Sequence, residues 1–335
     1  MSIQSTHRPG RPRPALSRRA LLAGTAAGAV GLSLAACGRG KKSGSQADSK
    51  TVTVVTHDSF HVSENLQKAF TSETGYTLKV ATSGDAGALV NKLVLTKDAP
   101  LGDAVFGIDN TYATRALDQG VIDTSATVTL PKGAESYVVA DTPALAPIDV
   151  GDVCLNIDTG YFTGKGLTPP ATFEDLTKPE YKGLLVAINP TNSSPGMAWL
   201  LATIGHFGAG SFAGYWKQLM ANGARIAEDW SAAYETDFSG SGKGTYPIVV
   251  SYASSPSFTV SDDGVSSSTS ALLDTAFRQV EYAGVLKGAA NPEGGKAFVE
   301  WMLSKAVQED IPGQMYMYPV LPDAALPEAL TKFGP

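Results

Sequence analysis

The sequence has few of the side chains on which catalytic and metal chemistry most often depend. Among 335 residues there are only two cysteines, Cys37 and Cys154, and four histidines. One cysteine beyond the leader described below cannot form an internal disulfide, and Cys154 lies in a stretch typical of a buried thiol. The sequence contains neither a Gly-x-Ser-x-Gly elbow nor a His-Glu-x-x-His helix. These absences argue against an exported hydrolase, which is kept only as the weakest alternative.

Acidic residues are missing from the start of the chain. The first 19 residues carry five arginines and no acid, and an apolar run from Ala20 to Ala36 follows. A basic segment followed by an apolar one predicts an export signal over residues 1–36. Arg18 and Arg19 form a twin-arginine pair, which suggests the export route for folded proteins.

The end of this leader resembles the lipobox of bacterial lipoproteins. Leu34-Ala-Ala precedes Cys37, and the resemblance implies that Cys37 becomes the lipidated N-terminus after cleavage. Residues 37–50 are polar and rich in glycine and serine, which predicts a flexible tether. We therefore expect an extracytoplasmic protein held by lipid at the outer face of a bacterial cell membrane.

Basic side chains are scarce in the remaining 299 residues. Removing the five leader arginines leaves 21 basic and 32 acidic side chains, a net charge of −11. This balance argues against nucleic acid as a partner and permits a cationic ligand.

From residue 51 onward, short β-branched runs alternate with amphipathic segments, which predicts an α/β fold with a largely parallel sheet. Ligands of such sheets bind beyond the carboxyl ends of the strands. Asp58 and Ser59 follow the strand predicted at residues 51–56, and Asp109 follows the one at 104–108. We interpret both aspartates as ligand contacts; the alternative for each is a helix cap.

Aromatic and hydroxyl side chains mark a second set of candidate positions. Trp230 and Tyr234 are four residues apart and would share a helix face; a ligand wall and a hydrophobic core are both compatible with this spacing. Tyr252 ends a predicted strand, and Ser193 lies in a polar loop before a predicted helix. Such a loop can receive an anion or a carbonyl group, or simply cap the helix.

Six short motifs together resemble the periplasmic thiamine-binding proteins, which are solute-binding components of ABC importers. The motifs occur in one order, spread over residues 51–320. They are Thr56-His57-Asp58-Ser59-Phe60, Gly107-Ile108-Asp109-Asn110, Ser193-Ser194-Pro195-Gly196, Asp229-Trp230-Ser231-Ala232-Ala233-Tyr234, Ser251-Tyr252-Ala253-Ser254-Ser255-Pro256 and Met317-Tyr318-Pro319-Val320.

The resemblance implies a type II periplasmic-binding-protein-like fold, in which two lobes are joined by two crossing hinge strands. We expect lobe 1 to comprise residues 51–148 and 281–320, and lobe 2 to comprise residues 149–280. Residues 321–335 would form a C-terminal tail. The protein would act as a monomer, deliver its ligand to a permease and an ATPase subunit, and need no cofactor.

The resemblance also implies thiamine, or one of its phosphates, as the ligand held between the lobes. Carboxylates would attract the aminopyrimidine or the thiazolium, the serine of the polar loop would bond the hydroxyethyl tail or a phosphate, and aromatic rings would stack on the ligand. The implied ligand-binding residues are Asp58, Ser59, Asp109, Ser193, Trp230, Tyr234, Tyr252 and Tyr316.

Three positions depart from the family's usual residues. This chain has His57 and Phe258 where tyrosine is frequent, and Tyr316 where tryptophan is frequent. Two other ligands stay open for the same fold. A ferric ion would require paired tyrosinates, for which Tyr252, Tyr316 and Tyr318 are the candidates. A polyamine would use the same tryptophan and aspartates as thiamine.

Overall fold

A mixed β-sheet is the central layer of the protein. The computed structural model describes residues 50–241 and 244–335, and in these residues the sheet has nine strands. The predicted export signal, Cys37 and residues 37–49 of the predicted tether lie outside the described residues. The strands are β1 (Thr51–Thr56), β2 (Thr77–Thr82), β3 (Ala104–Asp109), β4 (Ala146–Asp158), β5 (Leu185–Ile188), β6 (Arg225–Ala227), β7 (Ile248–Tyr252), β8 (Thr269–Val285) and β9 (Tyr318–Pro319).

Helices are inserted between successive strands, as the alternating pattern predicts. Short 3-10 turns and a π-helical turn at Ala232–Asp237 add to them. In the described part of the chain, none of the helices has the length and apolar character needed to cross a membrane. The α-helices are α1 (Glu64–Thr74), α2 (Ala86–Leu95), α3 (Ala113–Asp118), α4 (Thr159–Lys165), α5 (Ser194–Phe207), α6 (Phe212–Ala221), α7 (Pro292–Met302), α8 (Lys305–Met315) and α9 (Glu328–Phe333).

Two long antiparallel strands connect the two sides of the sheet. The strand order is β2-β1-β3-β8-β4-β7-β5-β6, with β9 added to β4. β8 pairs with β3 through its last residues, while β4 pairs with β7 through its last residues. These strands confirm the predicted pair of crossing connections. The sequence pattern predicts strand structure over Ala276–Leu286, and β8 begins earlier, at Thr269, because Thr269 and Ser270 pair with β4. The division into two lobes at residues 148/149 and 280/281 stays a prediction.

The central strands are buried along their whole length. Every residue of β3, β5 and β7 is buried, as expected for strands covered by helices on both faces. Their carboxyl ends therefore offer the accessible positions for polar side chains, and Tyr252 and Asp109 are the last residues of β7 and β3.

Helix α8 continues further than its sequence predicts. We expected the helix to end at Ile311 because the next residue is Pro312, yet α8 runs through the proline to Met315. A proline inside a helix removes one backbone hydrogen bond. Here Ile311, Pro312 and Met315 are all buried, and their packing offsets that loss. The extension places Tyr316 directly after the helix end.

Candidate ligand-binding site

A partly open cavity of about 310 Å³ lies beyond the carboxyl ends of several strands. Its volume is at the lower end of the range for small-molecule sites. Five of the eight predicted ligand-binding residues line it, namely Asp58, Ser59, Trp230, Tyr252 and Tyr316. The other lining residues are His57, Asp85, Ser194, Pro195, Ser231, Glu235, Glu281, Gln314, Met315 and Met317.

Aromatic rings form one wall of this cavity. Trp230 and Tyr234 stack with 5.1 Å between ring centroids and 10° between ring planes, which confirms that the two residues share one face. The Trp230 Nε1–H donates to Ser251 Oγ over 3.0 Å, which fixes the indole. Tyr234 is buried, so it covers one face of Trp230 while the indole itself borders the cavity. Tyr252 completes the wall, 6.4 Å from Trp230.

Tyr316 reaches the cavity through an uncommon backbone conformation. Its φ of 65° places it in the left-handed region at the end of α8, where residues other than glycine are rare. The Ser254 hydroxyl donates to the Tyr316 carbonyl group, and the ring stacks on Phe258 at a centroid distance of 3.5 Å. Its edge meets Trp230 at 5.6 Å and 68°. These contacts hold the strained residue against the aromatic wall.

Carboxylates form much of the polar lining of the cavity. Asp58, Asp85, Glu235 and Glu281 contribute side chains, and no lysine or arginine is present among the described residues that line it. Asp85 is the N-cap of α2 and also accepts the Trp230 backbone N–H over 3.4 Å. Burial raises the pKa of Asp85. The cavity is therefore suited to a cationic ligand, whose charge would favour the ionised carboxylates.

His57 and Glu281 form a buried pair at the floor of the cavity. His57 Nε2 lies 3.5 Å from Glu281 Oε1, and His57 Nδ1 accepts the Ser59 N–H over 3.1 Å. Burial lowers the pKa of His57 because it opposes a charge on the ring. The Glu281 carboxylate, together with Asp85 and Asp58, has the larger combined effect, so the pKa of His57 is raised. Asp149 is paired opposite Glu281 on β4, and burial together with Glu281 raises its pKa well above the ordinary value. The interior face of the site is thus crowded with acids.

Asp109 does not line the cavity. Its side chain is fully buried and accepts the backbone N–H groups of Thr111 and Tyr112 over 2.6 and 3.2 Å, together with hydroxyl groups of Thr111 and Ser194. These bonds stabilise the turn between β3 and α3; the N-cap residue of α3 is Tyr112, so Asp109 caps the turn and not the helix. Burial raises the pKa of Asp109 to about 7. Asp109 thus links the end of β3 to Ser194 at the start of α5, behind the cavity wall.

Ser193 and Tyr234 also lie behind the lining. The Ser193 hydroxyl is buried and makes no hydrogen bond within the described residues, yet it is close enough to Asp85 to favour the charged carboxylate. The adjacent Ser194 borders the cavity instead. Ligand contact by Ser193, Tyr234 and Asp109 stays a prediction, and in this structure all three support residues that do border the space.

Three acidic lining residues were not predicted from the sequence. Asp85 follows β2 and precedes α2, so the strand-end rule that selected Asp58 could have found it. Glu235 follows Tyr234 directly and could have been found by its position. Glu281 lies inside a long strand, and only the pairing of β8 with its neighbours brings it to the cavity. Among the described residues, no group of three or more histidine, cysteine, aspartate or glutamate side chains is arranged to hold a metal ion.

A loop from the other side of the sheet closes over α2. The backbone N–H groups of Gly87 and Ala88 donate to the Asn192 carbonyl group over 2.9 and 3.2 Å. The Tyr112 hydroxyl donates to the Pro190 carbonyl group over 2.7 Å. These bonds bring the first turn of α2, with Asp85, next to the segment that contributes Ser194 to the cavity.

This architecture, with a cavity beside two crossing strands, is that of the type II periplasmic binding proteins. The sequence model described as bacterial extracellular solute-binding protein matches residues 103–332, and the chain belongs to this family. Family membership confirms the interpretation of a binding protein rather than an enzyme.

Individual relatives are consistent with this assignment. The thiamine-binding periplasmic protein of Salmonella typhimurium is 27% identical over 294 residues, covering 84% of this chain and 85% of that protein. Among solved structures, a periplasmic thiamin binding protein superposes with a TM-score of 0.72 and 25% identity, covering 84% of this chain and 86% of the other. Iron-bound HitA from Pseudomonas aeruginosa shares the fold, with a TM-score of 0.64, 18% identity and coverage of 83% and 89%.

Proposed function

We propose that this protein captures thiamine outside the cytoplasm and delivers it to the permease and ATPase of an ABC importer. The observation that carries the proposal is the combination of an aromatic wall with a carboxylate lining that includes no lysine or arginine. Thiamine is a flat, permanently charged thiazolium joined to an aminopyrimidine. An aromatic face attracts such a cation by about 0.5–2 kcal/mol, and the carboxylates complement its charge.

Thiamine is also the ligand named for two of the relatives described above. Both the Salmonella protein and the solved structure are described as binding thiamine, and the sequence motifs point to the same class. Each of these two relatives aligns with 84% of this chain.

A ferric ion is the weaker candidate for this cavity. It requires paired tyrosinates, and the two candidate tyrosines that line the cavity are engaged with protein groups. The Tyr252 hydroxyl accepts from Gln279 Nε2 over 3.2 Å, and the Tyr316 ring stacks on Phe258. The fold shared with HitA does not change this local chemistry. The acidic and aromatic lining suits an organic cation better than a metal that requires tyrosinates.

Calorimetric titration of the delipidated mature protein with thiamine tests the proposal. We expect one site per chain with a dissociation constant well below micromolar, accompanied by quenched tryptophan fluorescence and a raised melting temperature. Putrescine and ferric citrate serve as competing probes for the two alternatives. Absence of any thiamine response, together with tight binding of either probe, would contradict the proposal.

The location follows from the leader rather than from the cavity. We propose that Cys37 is lipidated and holds a monomeric binding protein at the membrane, where a short tether leaves it free to reach the permease. A Cys37→Ser variant whose leader has been removed should then move from the membrane fraction to the soluble extracytoplasmic fraction. Retention of that leader-free variant in the membrane fraction would contradict lipid anchoring.

A further inference from the structure

We propose that Ser255 is a positioning residue for ligand binding, which fixes the Trp230 indole in the cavity wall through the hydroxyl group of Ser251. This inference rests on the proposed function and adds to it the residues that orient the aromatic surface. Ser255 does not line the cavity, and it is fully buried. It would therefore act on a bound ligand only through the residues that it contacts.

A short chain of buried hydroxyl groups connects Ser255 to the indole. The Trp230 Nε1–H donates to Ser251 Oγ over 3.0 Å. Ser251 Oγ in turn lies 2.8 Å from Ser255 Oγ, within hydrogen-bond distance. Both serines are fully buried, and a buried polar group that loses its partner is costly to leave unpaired. We therefore expect the three groups to keep one arrangement.

Ser255 also contacts two other aromatic residues of the site. Its Oγ accepts the Tyr252 backbone N–H over 3.2 Å. Burial raises the pKa of Tyr234, and a favourable interaction with the Ser255 hydroxyl partly opposes that rise, as expected for neighbouring hydroxyl groups. One serine thus lies where Trp230, Tyr234 and Tyr252 meet.

The segment that carries both serines is held on β4. Asn156 Nδ2 donates to the Tyr252 carbonyl group over 2.9 Å. The Ala253 N–H donates to the Asp152 carbonyl group over 2.8 Å. Because these bonds fix the backbone at the end of β7, the serine hydroxyl groups offer the indole a fixed point of attachment.

Stacking alone leaves one degree of freedom to the indole. Tyr234 lies nearly parallel to Trp230, with 10° between ring planes, so the stack sets the plane but allows the ring to turn or slide within it. The bond from Nε1 to Ser251 sets the remaining direction. An aromatic surface with one orientation loses less conformational entropy when a flat cation stacks on it. Loss of the hydroxyl chain should therefore reduce affinity although the indole is still present.

Calorimetric titration of Ser255→Ala with thiamine, in the wild-type and Trp230→Phe backgrounds, tests the inference. In the wild-type background we expect affinity to fall about three- to fivefold, as for the loss of one intramolecular hydrogen bond. Phenylalanine has no N–H group to bond Ser251, so in Trp230→Phe the same change should cost less than about 1.5-fold. Ser251→Ala should reproduce both results, and it is the second variant if melting experiments show that Ser255→Ala is poorly folded.

Magnetic resonance of the indole N–H groups supplies a readout that a general loss of packing would not give. The chain has four tryptophans, and in protein with isotope-labelled tryptophan the signal that is absent from Trp230→Phe identifies Trp230. Ser255→Ala should shift this signal and speed its hydrogen exchange, because the bond to Ser251 weakens. The remaining indole signals should stay in place.

Thr203→Val is the matched control. Thr203 Oγ1 accepts the Trp216 Nε1–H over 2.9 Å, and both residues lie away from the cavity lining. The variant removes the same type of hydrogen bond from another tryptophan. It should therefore shift the Trp216 signal and leave thiamine affinity within about 1.5-fold of the wild type.

Three results would overturn the inference and leave the proposed function standing. The first is an equal loss of affinity in both backgrounds, since Ser255 would then act through another contact such as the Tyr252 backbone. The second is wild-type affinity in folded Ser255→Ala and Ser251→Ala variants. The third is an unshifted Trp230 signal in Ser255→Ala. Failure of the wild type to bind thiamine would instead remove the proposed function, and the inference with it.

Discussion

At the scale of single residues, neighbouring aromatic rings have different tasks. Tyr234 is buried and covers one face of Trp230, so its contribution is to hold the indole plane. Trp230 is only partly buried, and a hydrogen bond from its own ring to Ser251 fixes its orientation. A rigid aromatic surface loses little conformational entropy when a ligand stacks on it. Trp230 is therefore the residue on which thiamine affinity should depend most.

Trp230→Ala should weaken thiamine binding at least about tenfold, because the change removes cation–π attraction and apolar contact area. Trp230→Phe keeps a ring and should lose only about threefold. Calorimetry gives both values, and circular dichroism melting shows whether each variant is folded. Unaltered affinity of a folded Trp230→Ala variant would assign the indole to the protein core alone.

Asp109 should make stability depend on pH. Its pKa is raised by burial to about 7 in the folded protein, whereas an unfolded aspartate titrates near its ordinary value of about 3.9. The folded state therefore binds this proton more tightly. The resulting stabilisation is complete below the unfolded pKa and is lost as pH rises through about 7.

Asp109→Asn removes this titration. The free energy of unfolding of the wild type, measured by urea denaturation relative to the variant, should fall by about 2 kcal/mol between about pH 5 and pH 7. Asp123→Asn is the control, since hydrogen bonds from Ser125 lower the pKa of that partly exposed carboxylate. The difference in unfolding free energy between this variant and the wild type should stay constant over the same pH range. If the free energies of unfolding of the wild type and Asp109→Asn change in parallel with pH, Asp109 does not titrate in this pH range.

At the scale of elements, the close approach of α2 to residues 189–192 completes the cavity. Gly87 lies in the first turn of α2 and has no Cβ. A Cβ at this position would lie 2.6 Å from the Thr191 carbonyl oxygen and 2.7 Å from the Tyr112 hydroxyl oxygen. A backbone carbonyl group cannot move aside as a flexible side chain can. The approach therefore requires glycine for contact reasons, although alanine is the better helix former.

Gly87→Ala should push α2 away from the loop and separate Asp85 from Trp230. We expect thiamine affinity to fall at least about fivefold. The unfolding free energy of the ligand-free protein should fall by about 1–2 kcal/mol, because the overpacking costs more than the helix preference of alanine returns. Gly214→Ala in α6 is the control, because a Cβ there meets no atom within 4 Å. Calorimetry and urea denaturation measure the two effects. Wild-type affinity in Gly87→Ala would mean that this contact is irrelevant to binding.

At the scale of the whole molecule, the sequence predicted what depends on local order. Alternating apolar runs gave the α/β class, and the strand-end rule found Asp58 and Ser59 at the cavity. Spacing alone predicted that Trp230 and Tyr234 share a face. Such features are readable because neighbouring residues determine them.

Features that depend on distant parts of the chain were missed. Glu281 reaches the cavity because β8 pairs with β3 and β4, and these pairings join residues far apart in sequence. The position of Tyr316 depends on a helix that tertiary packing carries through Pro312. Asp109 fits the strand-end rule, but its carboxylate accepts hydrogen bonds from Thr111, Tyr112 and Ser194 and does not line the cavity. The rule identifies an edge of the sheet and does not say which side chains face the open space.

A crystal structure of the mature protein grown with thiamine tests the central claim most directly. We predict thiamine in the cavity, with one of its rings stacked against Trp230 and its positive charge close to Asp58, Asp85 or Glu281. An empty cavity in crystals that contain thiamine, or thiamine bound only at another surface, would contradict the account.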